Sequence, residues 1–234
     1  MKNFKTEATL ICIGLVICGF LIGKGIKSFA DKDRTVYVKG LSEKIVDANH
    51  GSLKISYTTG GNDMQGLLNE IDANNSKILA LVKSKGLKES DVTIGVPNIT
   101  DKKNTEYENN YVGNSFRYYA SVSLTIVSDN AKAIREVEMA QSSLLKEGIN
   151  IRQSDYYDAT SAQYNFTNIN ELKPEMLKEA AANAKKSAKE LSANTGSKIS
   201  SIKSASQGTF EIERTENPLK LKVRVVSTIE YFLR

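Results

Sequence analysis

Three rhythms of apolar residues run along the chain. The first is unbroken: Ala8 to Gly23 reads ATLICIGLVICGFLIG, sixteen residues without a charge. At about 1.5 Å per helical residue it spans roughly 24 Å, short of a hydrocarbon core of ~30 Å. Extension to Ile26, with Lys24 reaching back toward the head groups, brings it to about 28 Å. This stretch predicts one membrane-spanning helix.

The second rhythm has period two and marks strands. Thr35 to Lys39 is a short β-rich run stopped by Gly40. Ser52 to Tyr57 sets Leu53, Ile55 and Tyr57 on one face before Gly60-Gly61 breaks the pattern. Val92 to Ile99 is a third strand, interrupted by Pro97 and so placed at an edge or bulge. Phe116 to Ser128 is the cleanest, with Phe116, Tyr118, Ala120, Val122, Leu124 and Ile126 on one face. Asn150 to Asp158 and Ala162 to Phe166 read as extended. Two strands finish the chain, the last from Lys220 to Leu233 with Leu221, Val223, Val225, Ile229, Tyr231 and Leu233 aligned.

The third rhythm is helical. Met64, Leu67, Leu68, Ile71, Ile78, Leu81 and Val82 recur at helical spacing, with Asn62 as N-cap, Gln65 at the capping-box position and Gly86 as the stop. A second helix runs from about Asn130 to Glu147, ended by Gly148. A third starts near Glu171, where Pro174 is tolerable only in the first turn, and presents Ala180, Ala181, Ala184 and Ala188 before Gly196. That alanine face permits close approach of another element, within ordinary core packing. The order ββαββαββαββ argues for an α+β fold, a mainly antiparallel sheet with three packed helices, preceded by one N-terminal transmembrane helix. The divisions are a membrane anchor or signal segment over 1–30, a linker over 31–34, and a domain over 35–234.

Two questions about the N-terminus follow. Ser28-Phe29-Ala30 offers the small residues of a signal-peptide cleavage site, so the alternative to an anchor is release after cleavage near Ala30. Against cleavage, the apolar run exceeds the usual signal core, and Lys24 and Lys27 crowd the cleavage zone. A simple count of basic residues on the two sides leans toward a cytoplasmic C-terminal part, but long domains cross largely regardless of charge. Charge leaves the orientation open.

Composition then removes chemistry. The chain carries 32 basic and 27 acidic residues, and beyond residue 34 the excess shrinks to 26 against 24. No basic stripe remains for nucleic acid. Cys12 and Cys18 are the only cysteines and both lie in the apolar segment, so neither a disulfide framework nor a thiol nucleophile is expected in the domain. His50 is the only histidine, in a run, Asp47 to Gly51, that reads as a solvated turn. A zinc site needs several such ligands. No P-loop or dinucleotide glycine pattern occurs, and the pair Asp155 and Asp158 has no diagnostic spacing. No catalytic residue, cofactor or metal ligand is assigned.

The tyrosines carry more meaning, because tyrosine is enriched at protein contacts. Tyr107 and Tyr111 sit four apart in Asp101 to Ser115, a run of fifteen residues without periodicity. Loops of that length inside a domain are functional or mobile. Tyr107 and Tyr111 are the candidate interaction residues; the alternative is a hairpin tip. Tyr118, Tyr119, Tyr156, Tyr157 and Tyr164 share the type, and at least half of the seven are assigned to the sheet or its core.

Several segments together resemble the SIMPL-domain family of bacterial envelope (periplasmic) proteins, in a branch with an N-terminal membrane segment. They are TVYVKGLSE (Thr35 to Glu43), GND (Gly61 to Asp63), PNITD (Pro97 to Asp101), YNFTNINELKPEM (Tyr164 to Met176), TGSKI (Thr195 to Ile199), SQGTFEIE (Ser206 to Glu213) and KVRVVSTIEYFL (Lys222 to Leu233). At His50-Gly51 the chain departs from the branch's apolar tendency. The resemblance implies an α+β domain on the outer side of the cytoplasmic membrane, and self-association into ring- or channel-like oligomers. It brings no catalytic residues, and the family's links to envelope stress responses are too indirect to give a mechanism.

Three function classes are weighed. The leading one is a non-enzymatic, membrane-anchored envelope protein acting by self-assembly or by binding an envelope protein partner. The second is an extracytoplasmic small-molecule binding module. The third, a hydrolase using Asp/Glu chemistry, has no site motif behind it.

Overall fold

The structure, a computed structural model, describes residues 4–31, 34–104, 116–152 and 161–234. In chain order the regular elements begin with α1 (Phe4–Asp31), β1 (Thr35–Asp47), β2 (His50–Gly61), α2 (Met64–Ser84), β3 (Val92–Ile94) and β4 (Asn98–Asp101). They continue with β5 (Tyr118–Ser128), α3 (Ala131–Lys146), β6 (Asn150–Ile151), β7 (Ser161–Asn165), α4 (Ile169–Asn194), β8 (Ile199–Gln207), β9 (Glu211–Arg214) and β10 (Lys220–Leu233). The fold is α+β with antiparallel pairing. The expected sheet is divided in two, and the chain forms two compact units.

α1 contains Ala8–Ile26, 19 residues apolar enough to cross a membrane, none of them buried. At about 1.5 Å per residue this stretch is ~29 Å long, close to the thickness of a hydrocarbon core.

One unit comprises Met1–Lys44, Ile169–Glu213 and Val223–Arg234. Its four-stranded sheet runs β1-β10-β8, with β9 also pairing β10. β1 does not stop at Gly40. Val36, Val38, Gly40 and Ser42 alternate inward, while Tyr37, Lys39, Leu41 and Glu43 face out. Glycine stands at position 40 because α4 passes so close that an added Cβ would lie 1.9 Å from the Ala180 carbonyl oxygen. The approach needs small residues on the helix as well, and Ala180, Ala184 and Ala188 are completely buried. Ser42 donates to Glu179 (2.8 Å) and Asn183 donates to the Leu41 carbonyl (2.8 Å), fixing helix and strand in register. α4 starts at Ile169, two residues earlier than expected, so Pro174 falls in the second turn rather than the first. Lacking an N–H, it leaves the Asn170 carbonyl without its helical donor.

The other unit comprises Ile45–Asn168 and Arg214–Lys222. β2 and β5 pair antiparallel from Gly51↔Ser128 to Gly61↔Tyr118. β3 and β4 line the far side of β5, and β6 and β7 line the far side of β2. The single strand expected over Val92–Ile99 is therefore two short edge segments, separated at Gly95 to Pro97. Leu53, Ile55 and Tyr57 from β2 and Val122, Leu124 and Ile126 from β5 face Leu67, Ile71, Ile78, Ile134, Val137 and Leu144 from α2 and α3. The Tyr57 hydroxyl, fully buried, shares its one proton between the Asn75 side-chain oxygen (2.9 Å) and the Ile71 carbonyl (3.2 Å). α2 is capped by Asp63 rather than Asn62, the carboxylate accepting from the Gly66 N–H at 2.7 Å. Asn62 is occupied elsewhere, accepting from the Arg117 N–H at 3.0 Å.

Candidate functional site

The predicted interaction residues Tyr107 and Tyr111 lie outside the described residues, and so do Asp155, Tyr156, Tyr157 and Asp158. The residues on either side of that stretch are described, at the end of β4 and the start of β5. Arg117 grips Asp101 with both ends of its fork, Nε to Oδ1 at 3.1 Å and Nη2 to Oδ2 at 2.9 Å. The Lys102 N–H donates to the Arg117 carbonyl at 2.9 Å. Hydrogen bonding from Arg117 holds the Asp101 carboxyl below the usual carboxylate range.

Aromatic rings and cations gather here. Lys102 stands 4.5 Å from the centre of the Tyr119 ring and the Arg117 guanidinium 4.7 Å from that of Tyr118. Phe116 meets Tyr119 edge-on at 6.3 Å. Phe116 departs from the sequence expectation: β5 begins at Tyr118, and Phe116 is 47% exposed instead of continuing the core face. Its ring lies on Gly60, where an added Cβ would come within 2.7 Å. The pattern missed this group because each member was read by its place in a strand period, and the contact runs across strands.

His50 is not in a turn. It is the first residue of β2, with only Ala48-Asn49 linking it to β1. Its Nδ1 lies 2.8 Å from Asp129, at the rim of an open cleft of about 470 Å³ that also touches Leu87, Lys88 and Asp91. Among the described residues no group of three His, Cys, Asp or Glu side chains is placed to hold a metal.

A second cavity, about 180 Å³, is lined by Glu138, Ala162, Tyr164, Arg214, Thr215 and Pro218. β7 brings Tyr164 beside α3, where its hydroxyl donates to Glu138 Oε2 at 2.5 Å. Arg135, one turn earlier on α3, donates to the same oxygen at 2.5 Å. Burial, then the Glu138 carboxylate, pushes the Tyr164 hydroxyl well above the ordinary phenol pKa. Tyr164, one of the tyrosines divided between contacts and the sheet or its core, belongs to the core. No local sequence pattern joins Glu138 to Arg214, which lies 76 positions further along the chain.

Two antiparallel sheets with helices packed on them, together with a long apolar N-terminal helix, define an α+β domain attached to a segment able to span a membrane. Residues 36–225 match the model of the SIMPL family, a protein of unknown function (DUF541), and the chain belongs to that family. No curated protein matches the chain.

Proposed function

We propose that this chain is a single-pass protein of the cytoplasmic membrane. Its SIMPL domain lies on the outer side and acts without catalysis, by assembling with copies of itself or binding an envelope protein partner. The observation behind this reading is α1, whose apolar stretch Ala8–Ile26 finds no burial within the chain. Exposed apolar area on that scale is stable in lipid and costly in water. Two features support contact as the mode of action. The group at Phe116, Arg117 and Tyr119 offers aromatic area and cations, the side chains favoured at interfaces. In the four-stranded sheet, β8 is a terminal strand with seven of its nine residues exposed, an edge able to template further pairing.

Protein purified from membranes tests both parts. Its intact mass is expected to include residues 1–30; a mature N-terminus at Asp31 would sink the anchor. Light scattering in detergent is expected to give a multiple of the 25.7 kDa chain or capture of a partner. Replacing Tyr107 and Tyr111 together by Ser should lower that mass, or abolish capture, while leaving the melting temperature in place. If mass and capture both survive the double substitution, the loop plays no part in assembly.

A further inference from the structure

We propose that the cavity between α3, β7 and the Arg214–Pro218 segment binds a small zwitterion of amino-acid size, its ammonium on Glu138 and its carboxylate on Arg214. The charges define the ligand. Glu138 Oε2 already accepts from both Tyr164 and Arg135, which fixes the carboxylate in place and leaves Oε1 without a partner among the described residues. Arg214 is exposed, and its guanidinium makes no hydrogen bond or ion pair among the described residues. One open carboxylate oxygen, on a Glu138 already paired with Arg135, and one fork-shaped donor thus line the same cavity.

A zwitterion satisfies both without importing net charge. A dicarboxylate would set one carboxylate against Glu138, and a diamine would set one ammonium against Arg214; such like-charge juxtaposition disfavours binding. Arginine suits the carboxylate end because its planar fork can bind two oxygens at once. Ala162, Pro218 and the Tyr164 ring supply apolar wall for a short carbon skeleton. Size narrows the class further. Pockets for drug-sized ligands run to roughly 300–1,000 Å³, and this one, at about 180 Å³, is too small for a nucleotide or an oligosaccharide.

The site is specified by a rigid frame. Tyr164 opposes Gly51 in the β2–β7 ladder, and Glu138 sits mid-helix on α3. Groups held on regular elements keep their spacing better than groups on loops. The Thr215 hydroxyl shares its proton between the Lys220 carbonyl at 2.8 Å and the Asn217 carbonyl at 3.0 Å, closing the turn that carries Pro218.

Calorimetric titration of the full chain in detergent tests the assignment, with glycine, L-alanine, L-serine and L-proline as probes. Acetate, methylammonium and N-acetylalanine separate the two charges. At least one amino acid is expected to bind saturably at one site per chain. Arg214→Gln, Glu138→Gln and N-acetylation of the ligand should each weaken binding by about tenfold or more, since each removes a charge-assisted hydrogen bond. Arg214 is exposed, so its substitution leaves the fold intact, as a melting curve will confirm. The proposal fails if none of the four amino acids binds, if Arg214→Gln binds as well as the parent, or if acetate alone matches the amino acid. Neither substitution touches α1 or the Tyr107 and Tyr111 positions, so this result stands apart from the anchoring and assembly reading.

Discussion

Replacing Gly40 by alanine should destabilise the unit built on β1 and α4, because the helix sits where the new methyl must go. An added Cβ would stand 1.9 Å from the Ala180 carbonyl oxygen, 2.4 Å from the Ala184 nitrogen and 2.8 Å from the Ala184 Cβ. Ordinary contact begins near 3.4 Å, so α4 would have to retreat by about 1.5 Å. The two nearest atoms are backbone, which leaves no rotamer to relieve the clash. Retreat also loosens Ala184 and Ala188 from Val36, Val38, Ile229 and Tyr231, the core of that unit. Overpacking of this kind costs about 3 kcal/mol, offset by up to about 1 kcal/mol from the lower chain entropy of unfolded alanine. The net loss of about 2 kcal/mol corresponds to a drop of roughly 4–8 °C in melting temperature for a chain of this size. Thermal unfolding of the full chain by circular dichroism reads it. Gly61→Ala is the control: there the nearest atoms lie at 3.6 Å, and the melting temperature should hold or rise. Ala184→Gly added to Gly40→Ala should not restore stability, since the backbone contacts remain. A Gly40→Ala protein melting within about 1 °C of the parent would refute the argument.

Two further perturbations follow from named contacts. Tyr57→Phe removes the buried proton shared by the Asn75 side-chain oxygen and the Ile71 carbonyl, and should cost about 1–3 kcal/mol in a urea titration; an unchanged midpoint would show that this bond adds nothing to stability. Asp101 is held below its ordinary value of 3.8 by Arg117, so its contribution to stability is complete above that value and is lost as pH falls through the depressed folded-state value. Arg117→Gln should therefore raise the Asp101 carboxyl midpoint read by carbon NMR and reduce the acid-dependent loss of stability below about pH 4; a midpoint that does not move would remove Arg117 as the cause.

Features set by residues near in sequence were legible without the structure. The periods of α2, α3, β5 and β10 each follow from one face being apolar, and a 3.6- or 2-residue repeat is visible in any short window. Gly86, Gly148 and Gly196 all stand at the predicted helix stops with positive φ, 80°, 85° and 68°, a conformation that glycine adopts at little cost. The uncharged run in α1 needs only its length. The SIMPL membership, too, was carried by contiguous segments. What the sequence could not decide is which distant surfaces meet. Gly40 reads as a strand breaker until α4 is laid over it, and then the missing side chain is what lets β1 continue. Phe116 continues the β5 period by count, yet Gly60 on the neighbouring strand gives its ring a place outside the core. Glu138 and Arg214 look like two ordinary surface charges until β7 and the Arg214–Pro218 turn bring them to one cavity. A local repeat records which face of an element is buried; it carries no term for the partner that buries it, and pairings across tens of residues are settled only by shape and charge in the assembled chain.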